Sequence, residues 1–321
     1  MTGKTKIWLI AASALMLVGC ILFGGVMTML KWDFKKLSTV KYETNRYEIH
    51  ENYENILISV NTANVSLVPS EDGKTTVECV EETKHKHSVK AENGTLEIKN
   101  TDTRKWHEHI GIGFQATKIT VYLPAGEYAS LSVKSTTGDT KIAKDFKFGS
   151  IDVSATTGSV KSMASAAGDI NIGTTTGGIR MENVTAENVS LSVTSGKITV
   201  TNLTCEKDFH SKLHTGDTSL TVIRCANLFS EGTTGDLHLK NVLASEKFSI
   251  RRGTGDVTFE DCDAGEILAK TGTGKITGTL LSDKIFVTHT DTGSVRVPST
   301  GSGGRCELTT DTGNIKIEIP K

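Results

Sequence analysis

The stretch Glu231-Gly232-Thr233-Thr234-Gly235-Asp236-Leu237-His238-Leu239-Lys240 decides the fold, because the chain keeps repeating it. A Thr-Gly pair stands at its centre. Apolar residues follow two and four places after the glycine. Glycines equivalent to Gly235 occur at Gly138, Gly158, Gly177, Gly196, Gly216, Gly255, Gly274, Gly293 and Gly313, always 19 or 20 residues apart. Each follows a Thr, except Gly196, which follows Ser195. A fixed period of this size marks a repeat architecture.

The same two apolar positions recur as Ile198/Val200, Val257/Phe259, Val295/Val297 and Ile315/Ile317. This is period-2 alternation, so these are strands with one buried face. One apolar residue follows seven places after the glycine (Val184, Leu203, Ile223, Val242, Leu281), and a second alternating run begins at twelve or thirteen (Ile151/Val153, Val189/Leu191, Phe248/Ile250). Each repeat therefore predicts two short strands, a tight Thr-Gly turn and a looser corner. Glycine suits the turn because it adopts φ > 0 without a Cβ penalty. One unit cannot bury its own apolar face, whereas a stack can, with each coil's backbone pairing to its neighbours. The fold class expected is all-β, a single-stranded β-solenoid (β-helix) of about ten 19–20-residue coils. At the spacing of paired strands it is about 45–50 Å long. The Gly158–Thr176 coil carries Ser162 at an apolar position and is expected to be irregular. The Thr column reads as packed rungs. The interrupted Asp column (Asp139, Asp217, Asp236, Asp256) reads as solvated turn residues, since the nine-residue calcium-roll repeat is absent.

Three segments are expected: a transmembrane anchor over 1–36, a β-rich N-terminal cap over 37–134, and the solenoid over 135–321. Ile7–Leu30 is a run of 24 residues without charge, long enough as a helix to cross the hydrocarbon core and so to partner a lipid bilayer. Lys4 and Lys6 precede it; Lys31, Lys35 and Lys36 follow, with Trp32 and Phe34 as interfacial anchors. The alternative is a lipoprotein: Leu17-Val18-Gly19-Cys20 matches a lipobox that would place a lipid on Cys20. In the cap, Ile56–Val60 and Asn64–Pro69 read as strands, and Thr62-Ala63-Asn64 stands where later coils have Thr-Gly-Asp. At the other end only Ile315–Lys321 remains after Gly313. Its Lys316, Glu318 and Pro320 read as devices that protect a sheet edge.

Composition excludes several classes. The chain carries 36 basic and 37 acidic residues among 321, so no electrostatic footprint for nucleic acid exists. No catalytic motif is present, and coils of 19–20 residues leave no room for the long loops over which solenoid enzymes build sites; no catalytic, cofactor or metal residues are assigned, and the chain is read as a non-enzyme. Cys79, Cys205, Cys225, Cys262 and Cys306 lie outside the anchor. Cys262 and Cys306 read as buried apolar residues. Cys205 and Cys225 stack on adjacent coils and could pair. His85-Lys86-His87 and His107-Glu108-His109 could each chelate from one strand face, but solvated histidines are the simpler reading.

The repeats Ser135-Thr136-Thr137-Gly138-Asp139, Glu231–Asp236 and Arg251–Asp256 carry a further resemblance, together with Lys31–Thr39 and Ile119-Thr120-Val121-Tyr122-Leu123-Pro124. Over nearly the whole chain they resemble a bacterial family of unknown function, common in Gram-positive Firmicutes and described as "putative adhesin". The resemblance implies a membrane-anchored β-solenoid facing outward, and some relatives are linked to cell-envelope stress operons. It carries no binding residues over. The function expected is a non-enzymatic surface adhesin or envelope scaffold whose partner is a cell-wall polymer or a membrane protein. The alternatives are a regulatory or sensory component of an envelope-stress membrane system and a cytoplasmic bactofilin-like scaffold.

Overall fold

The computed structural model describes residues 3–38, 40–102 and 115–320. Helix α1 (Gly3–Met29) is followed by an all-β body in one continuous sheet. Within residues 5–29 an 18-residue stretch has a mean hydropathy of 2.4 and none of it is buried, so the helix is long and apolar enough to cross a membrane. That is compatible with a membrane anchor or a signal peptide.

The body is the expected β-solenoid. Its strands pair in parallel at the repeat period: Ile170 with Val189, Val189 with Phe209, Phe209 with Leu228 and Leu228 with Phe248. At the Thr-Gly corner glycine N–H groups donate to the Thr carbonyl of the adjacent coil, as Gly235 does to Thr254 at 2.9 Å. Gly235 has φ 126°, and a Cβ there would lie 1.9 Å from the Gly216 carbonyl oxygen. Glycine is thus required twice over, for the dihedral and for the close approach of stacked backbones. The Asp column does more than face solvent. The Asp236 carboxylate accepts from the Asp256 N–H at 2.8 Å, and Asp256 from the Lys275 N–H at 2.7 Å. Each such residue caps the backbone of the adjacent coil.

Each coil has three sides rather than two. Strands such as Asp169–Ala186 and Asn188–Cys205 run through the looser corner instead of stopping there. They bend at one left-handed residue six places after the glycine: Asn183, Asn202, Val222, Asn241 or Asp261, all with φ between 52° and 56°. Asn and Asp tolerate this region; a β-branched Val does so at a cost. The corner points the +7 residue inward, and Val184, Leu203, Ile223 and Val242 are buried. Leu281 is a correction. It is 50% exposed, and Leu280 fills the core position against Cys262. Its coil has no left-handed residue six places after the glycine; the positive φ falls instead at Gly278, at 137°, and the coil turns one residue early. The Gly158 coil is irregular as expected, broken into Val160–Ser162 and Ser165–Ala166.

Both ends depart from sequence order. The N-terminal strands are β1 (Tyr42–Ile49), β2 (Asn55–Thr62), β3 (Asn64–Pro69), β4 (Thr75–Glu82), β5 (His85–Glu92), β6 (Thr95–Asp102) and β7 (Lys118–Leu123). β2 and β3 form a coil of their own, with Thr62 paired to Thr137. β6 and β7 stack on its far side. β5 then pairs antiparallel with β6, and β4 and β1 continue antiparallel from β7. This is a true cap. At the other end, Gly304–Thr312 and Ile315–Glu318 lie between two earlier segments: Thr312 pairs with Thr273 on one side and with Thr292 on the other. The last strand in sequence is therefore internal, which corrects its reading as a protected edge. The outermost coil is Lys284–Arg296. Lys284 is almost fully buried and reaches back to Asp263 at 2.6 Å across the intercalated layer.

Candidate functional site

Three consecutive coils and part of a fourth build a patterned outer surface. Outward residues alternate along each strand, and parallel register aligns them between coils. Ser190, His210, Phe229 and Ser249 form one row, and Ser192, Lys212, Glu231 and Arg251 the next. The His210 and Phe229 rings stack with centroids 4.4 Å apart and planes 10° apart. His214 Nδ1 and Thr233 Oγ1 are hydrogen-bonded at 2.9 Å. A depression of about 300 Å³ lies over Thr194, Lys212, His214, Glu231 and Arg251. A second, of about 390 Å³, continues it towards His210 and Phe229, and the two share Ser192, Lys212 and Glu231.

Beneath this surface the core changes character. Inward positions here hold Ser211, Ser230 and Arg252. Gly232 leaves the space that the Arg252 guanidinium occupies; a Cβ at 232 would sit 1.8 Å from Nη1. Nη2 donates to Ser230 Oγ at 2.9 Å, and Ser211 Oγ donates to the same oxygen at 2.8 Å. Arg252 is 3% exposed, its Nε has no hydrogen-bond partner, and burial lowers its pKa to about 10. A buried guanidinium without a bonded carboxylate is costly, and this one lies directly behind Gly232 in the wall of the depression. With Lys212 and Arg251 in front and only Glu231 opposing them, the trough favours an anionic ligand. An aromatic pair beside hydroxyls and charges also suits a sugar ring, which offers an apolar face and polar edges.

The cap holds a second cluster. Cys79 and Glu81, alternate residues of β4, face His87 of β5, and all three are buried. Glu81 accepts from the His87 N–H at 2.7 Å and from Asn45 Nδ2 at 2.7 Å, and meets His87 Nδ1 at 2.6 Å. His87 Nε2 is buried without a partner. Burial, then the Glu81 charge, pushes the Cys79 thiol up to about 12. His87 is therefore not a solvated histidine. His85 is half-buried and bonds through Nε2 to Asn100 Nδ2 at 2.9 Å, so the two histidines serve different partners. His107 and His109 lie outside the described residues. Cys205 and Cys225 stand on adjacent coils as expected, but both are free thiols, raised by burial to about 11 and 12. Cys205 Sγ is directed at the carbonyls of Glu187 and Asp208.

The sequence reading missed Cys79, Glu81, Arg252 and the outer grid. A charged residue at an inward alternation position was the available signal for Glu81 and Arg252.

A capped solenoid of Thr-Gly coils behind one N-terminal apolar helix defines the class. The chain belongs to the family described as Toastrack DUF4097, matched over residues 53–208 and 204–321. No protein of curated function matches it. Among solved structures it is similar to a "putative lipid binding protein" of Parabacteroides distasonis, at 17% identity and a TM-score of 0.50, covering 74% of this chain and 95% of that one. It is also similar to a "putative adhesin" of the same organism (13% identity, TM-score 0.49, 76% and 98% covered) and to one of Parabacteroides merdae (11%, 0.49, 75% and 95%). At these identities the likeness speaks to the solenoid fold alone.

Proposed function

We propose that this protein is a non-enzymatic surface solenoid, an adhesin or envelope scaffold, held to the cell membrane by Ile7–Leu30 with its coils outside. Its ligand is an anionic saccharide polymer of the wall, seated on the trough between Ser190 and Arg251. The observation that carries this reading is the stacked His210–Phe229 pair beside Lys212 and Arg251, with the buried Arg252 guanidinium behind. The rings offer a stacking platform, the cations attract the polymer's charge, and the repeating rows match a repeating ligand.

The test uses the full chain in detergent micelles and purified wall material, with and without its anionic polymer. Binding should need that polymer and weaken with salt. Phe229→Ala should reduce affinity about 3- to 10-fold, the worth of one aromatic stacking contact. Binding that ignores both the polymer and Phe229→Ala would sink the proposal.

A further inference from the structure

The cap cluster is the one place in the described structure where a thiol, a carboxylate and an imidazole converge out of water. Cys79 Sγ, a Glu81 oxygen and a ring nitrogen of His87 all lie within 4.8 Å of one another. We propose that Cys79, Glu81 and His87 bind a divalent transition-metal ion of borderline softness, with Zn²⁺ the type that fits, and that the ion locks β4 to β5.

Four observations support the assignment. First, the donor set is one sulfur, one nitrogen and one oxygen, which zinc accepts and which hard cations such as Ca²⁺ and Mg²⁺ do not seek. Second, tetrahedral bonds of the usual lengths set donor atoms about 3.4–3.7 Å apart. Side-chain adjustment reaches this spacing: the 2.6 Å contact between Glu81 and His87 Nδ1 opens, and the wider separations within 4.8 Å close. Third, the charges balance. A dication held by a thiolate, a carboxylate and a neutral imidazole gives a neutral buried unit, whereas either anion alone in this core is costly. On binding, the Cys79 proton leaves to solvent as the S–metal bond forms. Fourth, the imidazole is incompletely satisfied. His87 is 3% exposed and its Nε2 has no partner, and such buried groups in native structures call for an explanation. Asn45, bonded to Glu81 Oε1 at 2.7 Å, is placed to hold the carboxylate, as outer partners of metal ligands do. Cys79 also differs from Cys205 and Cys262, whose sulfurs are directed at backbone carbonyls.

The decisive experiment is Co²⁺ titration of the chelator-stripped full chain in detergent, followed by near-ultraviolet absorption. One equivalent should bind with a thiolate-to-cobalt charge-transfer band, and Zn²⁺ should displace it. Cys79→Ser should abolish the band and weaken binding at least 10-fold while leaving the Glu81–His87 pair and the β-sheet circular dichroism in place. Cys262→Ser and Cys20→Ser should keep the band. A folded wild-type chain that binds no stoichiometric Co²⁺, or a band that survives Cys79→Ser, overturns the assignment. A thermal readout provides a second route: Zn²⁺ should raise the unfolding temperature of wild type but not of Cys79→Ser, and equal shifts in both would also overturn it.

Discussion

The two ends of the stack face the same problem and handle it differently. A solenoid end exposes a full layer of unpaired backbone and an open core. At the N-terminal end the chain adds antiparallel strands, β1, β4 and β5, which close the core around Glu81 and His87. At the C-terminal end nothing among the described residues pairs with the outer edge of Lys284–Thr292. Ile285 and Val287 there are 50% and 48% exposed, and Phe286 is only half-buried. The device is one of order instead. The chain lays down its outermost coil first and threads its last strands beneath it. One end is shielded from other molecules; the other is shielded only from its own fraying. A filament of the bactofilin kind needs two stackable ends, and only one is bare. Two molecules meeting there would close a pair, not a polymer.

The largest effect should come from removing the threaded layer. Deleting residues 299–321 takes away the strands on which Lys284–Arg296 rests. Amide exchange across 284–296 should then lose its protection completely, although none of those residues is altered. If the coils stacked in sequence order, 284–296 would still rest on the Gly274 coil and stay protected, and the comparison would collapse. At the capped end the corresponding substitution is Glu81→Ala. It strands the His87 N–H groups in a dry site, which costs about 1–3 kcal/mol, while Asn45 keeps its bond to Glu43. In a one-dimensional stack that loss should stay local. Exchange should rise across 42–102 and remain unchanged across 169–254. Uniform loss along the chain would mean that the cap is the keystone of the whole solenoid.

How much of this could be read beforehand follows from what repetition encodes. The Thr-Gly ladder specifies coil length, facing and register, and Thr62-Ala63-Asn64 is legible as one more turn because its neighbours alternate in the same way. Layer order is not legible. In the sequence alone Thr292 and Thr312 look equally suited to pair with Thr273, since the repeat pattern is the same at both, although the structure pairs Thr273 with Thr312. The seven residues from Val297 to Gly303 permit the return step without announcing it. Asn183, Asn202 and Asn241 were visible at a constant offset, but their meaning depends on φ, which alternation does not report. The cap cluster and the trough fail for another reason. Glu81 with His87, and Ser211 with Arg252, lie on different strands and meet only once the layers are assembled.

The middle of the stack provides the reference for both ends. Val222 occupies the corner where neighbouring coils place Asn202 and Asn241, at φ 56° and 39% exposed. A β-branched side chain in that region carries backbone strain, and its methyl groups gain little packing at an exposed corner. Asn relieves the strain. It could also extend the ladder begun by Asn202 Nδ2 donating to Asn183 Oδ1 at 2.8 Å. Val222→Asn should therefore stabilise the solenoid by about 1 kcal/mol, read as a higher denaturant midpoint at unchanged slope. Because coils couple mainly to their neighbours, the gain should appear in exchange across 198–245 and leave 42–102 and 284–296 as they were. A gain shared by the ends would show that the ends borrow stability from the middle. No gain at all would mean that the corner accommodates Val without strain, and that the Asn column is there for the side-chain ladder instead of the dihedral.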